Sequence, residues 1–425
     1  LPTRAGVFAG IVLILTGALA AMPLLTRVLG GFVRPLLRPV LGLEGRLAAD
    51  NLVRSPGRTG IVIAALAATG ALMVQTAGFI RCTEDGVLDW IDHAVAADLF
   101  VTCGGSVNTA SAALPMDERV VGELRTLPEV ESALGIRFHL LDFRDRLVFL
   151  LAVDADAFAA TPGRPYARNL RRYPRLREPG TAVVSENFAA LYGLHLGDRI
   201  RVRGRHGPVE LEIIGTVLDY VWNRGTITVD RAWYRREFTD TQVDLCDLYL
   251  RPGSDPDAVR REIRRRWGAH DALFAATRAE AHDDIHQSLH RIYNLAYAQQ
   301  AVVGLVALLG VASALFISVL QRRRELGLLR AVGASRARVL RSVAAEAALM
   351  GLVGGVLGFG VGLFLEWYVV DVMVWDEAGF TFPLVVPWAA SAVVFVLSTA
   401  LATLVGLWPA YHATRLRIPE AIAYE

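Results

Sequence analysis

Three histidines, His282, His286 and His290, recur at i, i+4 and i+8, with Asp283 and Asp284 beside them. On a helix such positions stack on one face, so the imidazoles would share a surface able to hold a transition metal. No HExxH-type string accompanies them, and a solvated stalk carries the same spacing without a ligand. The expectation is a stalk with no metal. Serine, histidine and aspartate all occur within residues 81–291, yet no GxSxG or HExxH string orders them into a hydrolase constellation. No catalytic residue and no cofactor are therefore expected in the chain. All 44 basic residues are arginine. A Walker A loop needs its lysine on the nucleotide phosphates, so nucleotide chemistry would have to come from another polypeptide. Cys82, Cys103 and Cys246 match neither a zinc ribbon nor a CxxC redox spacing. One disulfide among them is possible in an oxidising compartment, and the sequence does not choose the pair.

The elements that must position these residues are set by hydropathy. Of the 425 residues, 53% are hydrophobic and only 20% charged, and mean hydropathy is positive. With several long apolar runs, this points to an integral membrane protein rather than a large soluble core. A formal net charge of +2 gives no bulk basicity for nucleic acid. A bilayer needs roughly 20 apolar residues per helix, and about five stretches qualify: 1–29, 59–80, 292–320 with its stalk, 342–368 and 388–408. The first mimics a signal peptide, but the charge that follows it favours a transmembrane helix.

Charge orients the spans. Residues 321–341, QRRRELGLLRAVGASRARVLR, carry Arg322, Arg323, Arg324, Arg330, Arg336, Arg338 and Arg341 against the single acid Glu325. A basic loop between two spans stays cytoplasmic. Leu326, Leu329, Val332 and Val339 recur at helical spacing, predicting a short amphipathic helix on the inner membrane surface. Residues 30–58 form a basic cytoplasmic linker and entry helix, which leaves the N-terminus outside. The loop 369–387 holds Asp371, Asp376 and Glu377 without a base, as an external loop should, and the tail 409–425 is again basic at Arg415 and Arg417.

Residues 81–291 change to a mixed polar texture and form an extracytoplasmic α+β domain. Strand, helix and strand are predicted over 98–102, 116–127 and 130–141, and again over 245–250, 255–267 and 272–276. A β subdomain near 180–229 has strands at 182–185, 199–203, 209–217 and 227–229. In the fourth span Gly351, Gly354, Gly355, Gly358 and Gly362 make three overlapping GxxxG pairs. These admit a close helix, as a dimer seam or within one subunit. Glu346 sits one turn inside that span, where an ion pair with the arginine-rich surface would explain it, and Glu366 falls at a span end.

The string RRRELGLLRAVGASR resembles the cytoplasmic coupling segment of the FtsX-like (MacB/LolC/LolE-type) permeases of ABC transporters. The matching positions are Glu325, Gly327, Leu329, Arg330, Ala331, Gly333, Ala334 and Ser335. AADNLVRSPGR looks like that family's entry helix at Asn51, Leu52, Arg54 and Arg58, and VVSENFAALYGLHLGDRIRV resembles its MacB-type β subdomain. The tail matches at Pro409, Ala410, Ala413, Pro419, Glu420, Ala421 and Glu425, with Ile422 in a leucine's place. The resemblance covers residues 48–425 and leaves the leading span extra, so the chain looks like the C-terminal half of a duplicated permease.

The resemblance implies an α-helical polytopic protein of the bacterial cytoplasmic (inner) membrane, with the α+β domain between spans two and three. It implies mechanotransmission: a cytoplasmic ABC ATP-binding subunit, holding ATP and Mg, moves the coupling helix through Glu325, Leu326, Gly327, Leu329, Arg330, Ala331, Gly333, Ala334 and Ser335. The implied partners are that subunit, a second permease core on a missing N-terminal half or another chain, a periplasmic adaptor and membrane lipid, but no nucleic acid. Cargo stays open among lipoprotein, antimicrobial peptide, macrolide and lipid. A regulator that activates a cell-wall hydrolase or senses an antibiotic uses the same scaffold.

Overall fold

The computed structural model describes residues 4–54, 56–94, 96–104, 114–160, 173–268, 272–321, 328 and 334–415. In chain order these form α1 (Arg4–Arg54), α2 (Pro56–Ala94), β1 (Leu99–Cys103), β2 (Met116–Asp117), α3 (Glu118–Leu124), β3 (Val130–Phe143), β4 (Arg146–Val153), α4 (Ala155–Ala160), β5 (Thr181–Ser185), α5 (Glu186–Tyr192), β6 (Arg199–Gly204) and β7 (Gly207–Val217). There follow β8 (Thr226–Asp230), α6 (Arg231–Phe238), β9 (Gln242–Val243), β10 (Leu245–Leu250), α7 (Pro256–Trp267), β11 (Leu273–Thr277), α8 (Arg278–Gln321), α9 (Arg336–Trp367), α10 (Val374–Ala378) and α11 (Trp388–Arg415). The chain divides into a helical unit (Leu1–Cys82, Tyr293–Met373, Pro383–Glu425) and an α+β unit (Thr83–Ile292, Val374–Phe382).

Among the described residues, four helical stretches are long and apolar enough to cross a membrane: Gly6–Leu29, Thr59–Asp92, Arg336–Ala378 and Trp388–Leu407. The apolar run 296–320 lies in α8, one continuous helix of 44 residues that starts at Arg278. The leading span is a membrane-length apolar helix, Gly6–Leu29, but the residues after it differ from expectation. Rather than a linker and a separate entry helix, they continue the same helix, so that residues 4–54 are the single helix α1. Its alanines, leucines and arginines are strong helix formers and sustain it through three prolines. The break comes only at Pro56, which opens α2 where a helix needs no N–H and its φ is already set. The core gathers Met22 of α1, Ile63 and Ala67 of α2, Val353 of α9 and Ala402 of α11.

The α+β unit is built on nine strands in the order β11-β1-β10-β3-β4-β8-β5-β7-β6. β3 joins its two halves. Val130–Ile136 pairs with β10, and Arg137–Phe143 pairs with β4, both antiparallel. The first half draws β1 and β3 from the start of the insert and β10 and β11 from its end, with α3 and α7 packed over Leu99, Leu248 and Ala275. α7 shows the logic in miniature. Asp255 caps it, Pro256 fills its first turn, Val259 and Ile263 are buried, and five arginines supply most of the remaining positions. The second half mixes parallel pairs (β4 with β8, β5 with β7) and antiparallel pairs around Phe188, Leu150, Leu211 and Tyr234.

No disulfide joins Cys82, Cys103 and Cys246. Cys103 and Cys246 lie on the adjacent strands β1 and β10 and pack into one core as thiols. Burial there pushes the Cys246 thiol well above its ordinary range.

Candidate functional site

Of the residues assigned to coupling, Glu325, Leu326, Gly327, Leu329, Arg330, Ala331 and Gly333 lie outside the described residues. Ala334 and Ser335 lie within them and start α9. Ser335 takes extended backbone (φ −67, ψ 153) and its hydroxyl accepts from the Arg338 N–H at 3.3 Å, an N-cap. Val339, one turn on, is buried against Ala334 and Val343. Arg336, Arg338 and Arg341 are exposed, and no acid stands in the first turn. Cations in the first turn of a helix oppose its macrodipole, so Arg336 and Arg338 do not stabilise α9.

The glycine stripe of α9 is occupied within the chain, not held out as a seam for a second copy. A Cβ on Gly354 would lie 2.8 Å from the Leu66 Cβ, one on Gly358 2.8 Å from the Ala67 carbonyl oxygen, and one on Gly362 2.9 Å from the Ala71 carbonyl oxygen, all on α2. Gly351 and Gly355 face α11 instead, where a Cβ would meet the Thr399 Cα and the Phe395 ring, each at 2.7 Å. The residues thus form two GxxxG faces, each with its own helix. Glu346 is buried in this bundle. Glu366, expected at a span end, is fully buried. Its carboxyl lies over the Gly78 Cα position and accepts from the Cys82 thiol at 3.6 Å, while the Val385 N–H donates to that sulfur at 3.2 Å.

In the α+β unit the outer turns of α8 run antiparallel to the end of α2. His282 Nε2 lies 3.3 Å from Asp92 Oδ1, and His290 Nε2 lies 3.6 Å from Glu84 Oε1. The His286 and His290 rings sit 4.4 Å apart, and those of His282 and His286 6.2 Å apart. The sequence brought the three histidines together but not their acids, which come from α2. The missed signal is a second eight-residue repeat: Glu84 and Asp92 match His290 and His282 in reverse order.

Sequence reasoning also missed what the external loop does. Within the α+β unit, Val374–Phe382 packs against α5 and the turn after β7. Asn187 Nδ2 donates to the Ala378 carbonyl (3.2 Å), Arg224 Nη1 to the Glu377 carbonyl (3.0 Å) and the Tyr220 hydroxyl to the Thr381 carbonyl (2.8 Å). The Tyr220 ring stacks on Phe382 at 5.0 Å and meets Phe380 edge-on, and its burial pushes the phenol up to about 12. Gly379 turns there with φ +66, where a Cβ would strike the Asn187 backbone at 2.7 Å. Beneath this contact the buried Asp219 accepts from the Thr226 hydroxyl at 2.6 Å, and burial raises its carboxyl.

Two families match the chain. The MacB-like periplasmic core domain matches residues 43–266, and the FtsX-like permease C-terminal domain matches residues 301–418. Among individual proteins, an uncharacterized ABC transporter permease of Mycobacterium tuberculosis is 27% identical over 428 residues, covering 98% of this chain and 49% of that protein. The macrolide export ATP-binding/permease protein MacB of Shewanella oneidensis is 34% identical over 237 residues, covering 55% of this chain and 34% of that protein. The crystal structure of the periplasmic region of MacB from Actinobacillus actinomycetemcomitans aligns with 47% of this chain and 95% of its own, at 11% identity and a TM-score of 0.32. The chain spans about half the length of the first of these relatives and about a third of the second.

Proposed function

This chain belongs to the ABC transporter permeases of the MacB/FtsX type, and we propose that it passes ATP-driven motion from a cytoplasmic ATP-binding subunit to its periplasmic α+β domain. Permeases of this family work with an ATP-binding subunit. In the proposal, that subunit holds ATP and Mg, since residues 1–425 contain no lysine and so no phosphate-binding loop of their own. The observation that carries the reading is α8. It begins at the residue after β11 and runs unbroken to Gln321, where the coupling segment starts. At about 1.5 Å per residue such a rod is roughly 66 Å long. The exposed arginines that open α9 against its own dipole support the same reading, since an acidic partner surface or anionic headgroups would compensate them.

Energy enters as differential affinity: the ATP-binding subunit must bind two permease conformations unequally, or its cycle moves nothing. Leu326, Leu329, Arg330 and Ala331 are the proposed contacts, with Glu325 and Gly333 shaping the segment. The cargo class is a lipoprotein, peptide or hydrophobic compound, moved from the inner membrane without a tunnel through the bilayer. A second permease core and a periplasmic adaptor complete the proposed assembly. Crosslinking at Leu329 or Arg330 in the intact membrane protein tests this. The expected outcome is capture of an ATP-binding subunit. Capture of other neighbours from inner-face positions, with none from these two, removes the coupling assignment.

A further inference from the structure

We propose that His286 and His290 of α8, with Glu84 of α2, form a binding site for a divalent transition metal of the zinc type. One ligand atom from each of the three residues lies within 4.8 Å of the other two. In a tetrahedral site with bonds of about 2.0–2.2 Å, ligand atoms stand roughly 3.3–3.6 Å apart. The His290 Nε2 to Glu84 Oε1 separation of 3.6 Å is already close to that spacing, and the His286 ring sits 4.4 Å from that of His290. Small side-chain rotations close the set.

The donor set selects the class of ion. Two imidazoles and one carboxylate suit zinc and its neighbours, whereas calcium and magnesium take oxygen ligands almost alone. His290 is about half exposed (48%), which gives an ion a path in and leaves room for water to complete the coordination. The site is also held in register independently. His282 and Asp92 make the same cross-helix contact eight residues away on each helix, at 3.3 Å, and so align α2 with α8 without occupying the triad.

An imidazole–carboxylate contact between partly exposed groups contributes little by itself. A shared metal would instead bridge two helices whose neighbouring strands are themselves paired. α2 leads into β1, β11 leads into α8, and Leu99 of β1 pairs with Thr277 of β11. The ion would tie the two chain passages at the base of this sheet. It would act structurally, with no bond made or broken in a substrate. The inference does not depend on the proposed coupling to an ATP-binding subunit, since it rests only on the side chains of Glu84, His286 and His290.

The test uses the full chain, purified in detergent, stripped with a chelator and titrated with zinc against a chromophoric competitor. One equivalent should bind. Loss of even an outer-shell partner costs a metal site roughly 10–100-fold in affinity, so His286→Gln, His290→Gln and Glu84→Gln should each weaken binding by at least that much, while His282→Gln should not. Cobalt should give the visible absorption of a four-coordinate N/O site in the wild type, and zinc should raise its unfolding temperature. Neither effect should appear in H286Q/H290Q, whose metal-free unfolding should match the wild type because both side chains are partly exposed. Equal affinity in the wild type and H286Q/H290Q, or no stoichiometric binding by the wild type, overturns the site.

Discussion

His139 sits in a chain of polar contacts that fixes its proton. The Tyr234 hydroxyl donates to Asp240 Oδ2 at 2.9 Å, so the hydroxyl oxygen is left to accept, and His139 Nδ1, 3.3 Å away, must carry the hydrogen. Arg137 closes the network, donating to Asp240 at 2.9 Å and to Asp244 at 2.7 Å. Burial, and then the Arg137 charge, hold the imidazole below the usual histidine range. The unfolded chain, with its histidine near about 6.5, therefore binds the extra proton first. This contribution to stability is complete above about pH 6.5 and is lost as pH falls through the lower folded value. His139→Gln should flatten that slope: the gap between wild-type and variant unfolding temperatures should change between pH 7.5 and 5 and hold steady above. At this scale the sequence is a poor guide. His139, Tyr234 and Asp240 lie on different elements, and only the pairing of β3 with β4 and the docking of α6 bring them together, just as Glu84 meets His290 only once α2 and α8 align.

Among the elements, the glycine stripe and the hairpins show what periodicity does and does not reveal. Glycines at i, i+4 and i+8 announce a close helix, but spacing alone does not say whose helix it is. α2 and α11 of the same chain take the two faces. Gly358→Leu should therefore push α9 off the Ala67 backbone and destabilise the bundle by about 1–3 kcal/mol, the usual range for overpacking. Gly360, with nothing within 4 Å of an added Cβ, is the control: Gly360→Ala should be neutral or slightly stabilising in the same unfolding assay, since alanine is the better helix former. Most strands of the insert were legible because they alternate or run apolar between Gly-rich turns. β4 was not. Its hairpin with β3 turns on Arg144 and Asp145, both at positive φ (51° and 62°), a geometry normally flagged by Asn-Gly. Two charged residues there hide the turn, and with it the strand RLVFLLAV. α6 was missed for a related reason: four of its eight residues are charged, and its start is marked only by Asp230, which caps the Ala232 and Trp233 N–H groups.

For the whole molecule, the α+β unit draws on more of the chain than the order of spans suggests. Besides α2 and α8, the segment Val374–Phe382 following α9 packs within this unit through Tyr220, Asn187 and Arg224. The sequence marked that loop only by its acids, because its partners lie some 150–190 residues earlier. Tyr220→Ala should release it, removing one hydrogen bond and the ring contacts with Phe380 and Phe382 at a cost of roughly 1–3 kcal/mol. Hydrogen exchange should then speed up in Val374–Phe382 and spare β10. Unchanged protection would mean that Asn187 and Arg224 hold the segment alone. The division of the sheet at β3 also has a consequence for synthesis. β4 to β8 can pair as they emerge, but β1 waits for β10 and β11, and 141 residues separate Cys103 from Leu245. At about 5–20 residues per second the delay is on the order of 7–30 s. Through that interval β1 has neither of its sheet neighbours, and the newly translocated chain must keep this apolar strand from straying until its own C-terminal strands arrive.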